Sequence, residues 1–112
     1  MTYLLQYATR RPVRGARVDE NLRLNRPGLY GDAHVRVYVG DTSHERVRRG
    51  VPHPHLKLRI ADCTNVIVLE FELTDAQLRD NSLFKIDTLL GALTRFRHAL
   101  AAEAALYAER ER

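Results

Sequence analysis

The chain has 112 residues, a single cysteine, 45% hydrophobic residues and a formal net charge of +4. That length suits one domain with one core and no staples, and the lone Cys63 excludes an internal disulfide and fits a reducing compartment. No apolar run approaches the roughly 20 residues of a membrane span, and no apolar leader follows the early arginines, so a cytoplasmic protein without a membrane partner is expected.

The charge is divided along the chain. Residues 1–59 carry twelve basic and five acidic side chains, and residues 60–112 carry six basic and nine acidic ones. The first part is therefore the one that would attract a polyanion. Sixteen of the cations are arginines and two, Lys57 and Lys85, are lysines, a skew that a GC-rich coding sequence also produces.

Taken in order, Thr2 to Ala8 mixes β-favouring tyrosines with apolar residues and reads as a first strand. Thr9 to Arg17 gathers Arg10, Arg11, Arg14 and Arg17 around Pro12 and Gly15 without periodicity, which predicts a flexible basic loop or hairpin tip. Asp19 to Leu24 admits a short strand or a helical turn. Arg26-Pro27-Gly28-Leu29 puts proline and glycine at the two centres of a type II turn.

His34 to Val39 alternates cleanly, with Val35, Val37 and Val39 on one side and His34, Arg36 and Tyr38 on the other. Gly40 to Pro54 is a long loop holding His44, Arg46, Arg48, Arg49 and His53, and loops of that length are commonly functional or disordered. His55 to Asp62 and Asn65 to Leu73 then read as a hairpin turning on Cys63 and Thr64. The register this implies sets Ile60 against Ile67, Leu58 against Leu69 and Leu56 against Phe71. On the opposite face it sets Lys57 against Glu70 and His55 against Glu72, so apolar and charge matching agree.

The last third is helical. Thr74-Asp75-Ala76-Gln77 has the form of a capping box with Thr74 as the N-cap, stapled by Leu73 and Leu78, and Asp75 adds a carboxylate at the positive end of the dipole. Asp80, Asn81 and Ser82 favour caps over helix interiors, which predicts a short first helix and a second start at Asn81 or Ser82. From there Ile86, Leu89, Leu90, Leu93, Phe96, Leu100, Ala104 and Tyr107 recur at spacings of three and four and share one face. Arg97 lies within that stripe, where a guanidinium snorkels to the rim or pairs with Glu70 or Glu72. The tail from Ala108 to Arg112 is expected to fray.

The fold class these elements define is α+β: an antiparallel sheet of about four strands, covered on its aliphatic face by a long amphipathic C-terminal helix, all in one domain of residues 1–112. The element order resembles, in layout and without a shared motif, the repeat unit of Whirly and Pur-type single-strand binders. That likeness implies a nucleic-acid partner.

The chain lacks a nucleophile with its base, paired carboxylates and a glycine-rich phosphate loop, so no catalytic residue and no cofactor is assigned. His53-Pro54-His55 with His34 or His44 has histidines enough for a metal, but no carboxylate or cysteine falls at matching spacing, and surface histidines are the expectation. The main reading is a small non-enzymatic binder of single-stranded DNA or RNA. Its contact set is Arg10, Arg11, Arg14, Arg36, Tyr38, Arg46, Arg48, Arg49, Lys57 and Arg59, in which cations track phosphates and a ring stacks on a base. The alternative is a protein-interaction or structural module, a homodimer or other homo-oligomer joined through Leu89, Leu93, Phe96, Leu100 and Tyr107. A third reading, a metal-free ribonuclease, would use His44, His53 or His55 with Arg48, Arg49 and Tyr38.

Overall fold

The structure is a computed structural model that describes residues 15–29, 31–43 and 55–112. Residues 1–71 and 72–112 form two compact units.

The first unit holds a four-stranded antiparallel sheet in the order β1-β2-β3-β4. The strands are β1 (Ala16–Arg23), β2 (Ala33–Gly40), β3 (Leu56–Asp62) and β4 (Asn65–Leu69). Each pairs with its sequence neighbour, across short turns at β1–β2 and β3–β4 and across the longer connection of residues 41–55 at β2–β3. β1 resolves the segment that sequence leaves open between strand and helical turn. It starts earlier than the expected basic loop allows, because Arg17 is already a strand residue. The expected strand at Thr2 to Ala8 lies outside the described residues.

Between β1 and β2 the chain reverses as predicted: Gly28 has φ 83°, and Leu29 N–H donates to the Arg26 carbonyl at 3.0 Å. A positive φ at the third turn residue is what a type II turn requires and what glycine permits. The β3–β4 turn also requires a positive φ, and Cys63 supplies it at 54°, in the first position of a two-residue hairpin loop.

The register of β3 with β4 pairs Ile60 with Ile67 and Leu58 with Leu69, as hydrophobic matching predicts. The ladder then ends, so the expected pairs Leu56 with Phe71, Lys57 with Glu70 and His55 with Glu72 fall beyond it. β4 stops at Leu69 rather than Leu73, and the backbone groups of Glu72 and Leu73 bond within the second unit. Ser82 takes both polar groups of Glu72, and Arg79 donates to the Leu73 carbonyl at 3.1 Å.

Val35 lies between Leu22 and Ile60, Val37 between Glu20 and Leu58, and Val39 between Val18 and Leu56. These residues form an aliphatic face with one acidic member, Glu20, which is buried. Among the described residues the buried apolar side chains are alanines, Ala16, Ala33 and Ala61.

The second unit holds one helix, α1 (Ala76–Arg110), of 35 residues and about 52 Å at 1.5 Å per residue. The helix departs from the expected pattern at two points. Asp75, not Thr74, is the N-cap, and its carboxylate accepts from Leu78 N–H at 2.8 Å. The helix also runs without interruption through Asp80, Asn81 and Ser82. Ser82 is buried, and its hydroxyl donates to the Glu72 carbonyl at 2.8 Å and accepts from Glu72 N–H at 3.0 Å. A hydroxyl satisfied outside its own helix no longer competes for the helical ladder. Among the described residues no helix is long and apolar enough to cross a membrane.

Candidate nucleic-acid interface

The face of the sheet opposite Val35, Val37 and Val39 is built by alternate residues of all four strands. β1 contributes Asp19, Asn21 and Arg23, β2 contributes His34, Arg36 and Tyr38, β3 contributes Lys57, Arg59 and Ala61, and β4 contributes Val66 and Val68. The register sets Arg23 beside His34, Arg36 beside Arg59, and Tyr38 between Asp19 and Lys57. Four cations therefore share a face with one carboxylate. Sequence reasoning assigned Arg36, Tyr38, Lys57 and Arg59 to this face, and the pairing brings all four together.

Two of these arginines are held rather than free. Arg36 pairs with Asp19, and its Nη1 donates to the carbonyls of Glu20 at 3.0 Å and Val37 at 3.1 Å. It also lies 5.6 Å from the centroid of the Tyr38 ring, within cation–π range. The bonds to Asp19 and to the Glu20 carbonyl make Arg36 a clamp between β1 and β2. Arg59 Nη1 lies 2.9 Å from His34 Nε2. A guanidinium can only donate, so Nε2 accepts and the other ring nitrogen bears the proton, facing Asp32 Oδ1 at 3.4 Å. The row Asp32, His34, Arg59 fixes the direction of one guanidinium across two strands.

Lys57 and Arg23 are the exposed cations of the face. Arg23 is the residue that sequence reasoning missed. Its signal was the alternation of Val18, Glu20 and Leu22 against Asp19, Asn21 and Arg23, which the acidic Glu20 breaks. Arg17, at the start of β1, pairs with Asp41 at 3.3 Å. Of the other expected contacts, Arg10, Arg11, Arg14, Arg46, Arg48 and Arg49 lie outside the described residues, as do His44 and His53.

On α1 the expected interface residues Leu93, Phe96, Leu100 and Tyr107 are 52 to 66% exposed and Leu89 is partly exposed. Arg97 is exposed too. Helical spacing sets all five apolar side chains on one stripe. No family model matches the chain, and neither a curated protein nor a solved structure matches it.

Proposed function

We propose that the basic sheet face binds the sugar-phosphate backbone of single-stranded nucleic acid without catalysis. The observation that carries this reading is the register, which sets Arg23, Arg36, Lys57 and Arg59 side by side with Tyr38 and His34 on three adjacent strands. Cations at strand spacing meet successive phosphates, and their attraction does not depend on sequence. Arg36 stiffens the platform, whereas Arg23, Lys57 and Arg59 do the binding. Fluorescence anisotropy with labelled single-stranded DNA, single-stranded RNA and duplex is the test. Binding at low salt that weakens in Lys57→Glu and Arg59→Glu is expected, and no binding at low salt by the folded protein overturns the reading.

A second reading, homo-oligomeric assembly through α1, is favoured by the exposed stripe of Leu93, Phe96, Leu100 and Tyr107. Its spacing of three and four is that of a helix–helix seam. Leu93→Asp with Phe96→Asp separates seam from core: a folded species of lower mass by light scattering supports the seam, and an unfolded chain assigns these residues to a core.

A further inference from the structure

The two edges of the sheet are built differently. β1 is guarded: its register shifts between Ala16 and Val18, and Arg17, Asp19, Glu20 and Arg23 line it. Bulges and charges of this kind stop a foreign strand from adding to an edge. β4, Asn65-Val66-Ile67-Val68-Leu69, has no charge, proline, glycine or bulge. Val66, Ile67 and Val68 are 47, 60 and 55% exposed, so both faces of this strand are open. Among the described residues no strand pairs with its outer side.

The direction of the backbone groups on that edge follows from one bond. Gly40 N–H donates to the His55 carbonyl, so on β3 the groups of His55, Lys57, Arg59 and Ala61 point to β2 and those of Leu58, Ile60 and Asp62 point to β4. Their partners Leu69, Ile67 and Asn65 therefore point inward, and the N–H and C=O of Val66 and Val68 point out of the sheet edge.

We infer that β4 pairs antiparallel with β4 of a second copy of this chain, about a two-fold axis through Ile67. In this register Val66 of one copy lies opposite Val68 of the other, twice. Both residues carry outward backbone groups, so each pair exchanges two hydrogen bonds, and Ile67 meets its own copy between them at the closer non-hydrogen-bonded spacing. A triplet that reads the same from either end is self-complementary, as an isologous interface requires. The strand offers no charge by which a different partner would be selected. A two-fold perpendicular to the sheet keeps the same face up in both copies. The inference is independent of nucleic-acid binding. If both hold, β3 of one copy and β3 of the other stand three strand spacings, about 14 Å, apart, and one nucleic-acid strand meets both basic patches.

The test is the mass of the full chain by size-exclusion chromatography with light scattering, with circular dichroism as the control for folding. The wild type is expected to be a dimer. Val66→Lys with Val68→Lys sets two ammonium groups against each other at each opposed position and is expected to give a folded monomer. Val66→Lys with Val68→Glu sets opposite charges against each other in this register alone and is expected to remain a dimer. Val68→Pro removes an outward N–H without touching the β3–β4 ladder and is expected to be a folded monomer. A monomeric wild type, a dimer that survives Val66→Lys with Val68→Lys or Val68→Pro, or a monomer from Val66→Lys with Val68→Glu overturns the proposal.

Discussion

Single side chains decide where the elements begin and turn. Asp75 caps α1, so Asp75→Ala is expected to cost about 1 kcal/mol, while Thr74→Ala changes stability by less than about 0.5 kcal/mol. Urea unfolding of the two variants distinguishes them. Thr74 and Asp75 are both good capping residues, and Gln77 completes a capping box for the wrong one, which is why local sequence favoured Thr74. At Gly28 a Cβ would meet no heavy atom within 4 Å, so Gly28→Ala isolates the backbone term at φ 83°. It is expected to lower stability by about 1 to 2 kcal/mol, and Gly28→Asn by less, in the same urea measurement.

At the scale of elements, what was legible depended on whether a segment's partners were local. β2 and the β3–β4 hairpin were readable because valine, isoleucine and leucine alternate without a break and the two-residue turn fixes their register. β1 was not, because the acidic Glu20 stands where the alternation calls for an apolar residue. The continuity of α1 was not either. Ser82 bonds to Glu72 ten residues earlier, a pairing that no propensity or period encodes. Ser82→Ala strips both polar groups of Glu72 of their partner and is expected to cost about 1 to 3 kcal/mol. Amide hydrogen exchange at Glu72 is expected to quicken with it, and an unchanged rate there would assign the bond no stabilising role.

For the whole molecule, the uneven distribution of charge seen in the sequence becomes a geometric fact once the strands are paired. Arg23, Arg36, Lys57 and Arg59 occupy one sheet face. The composition of residues 1–59 gave the sign of the charge, and the register gave its location. The candidate site was thus half legible: the β2 and β3 contributions follow from alternation, and the β1 contribution needs the pairing. The structure also separates roles that composition cannot, since Arg36 is bound to Asp19 and two carbonyls while Lys57 and Arg23 are exposed.

The most direct measurement of nucleic-acid binding by this face is the salt dependence of affinity for a single-stranded oligonucleotide. With Arg23, Lys57 and Arg59 each neutralising a phosphate, log Kobs is expected to fall against log salt with a slope of about −2. In Lys57→Ala with Arg59→Ala the slope is expected to shrink to about −0.7. Absence of binding at low salt, or a slope that the double substitution leaves unchanged, would contradict the account.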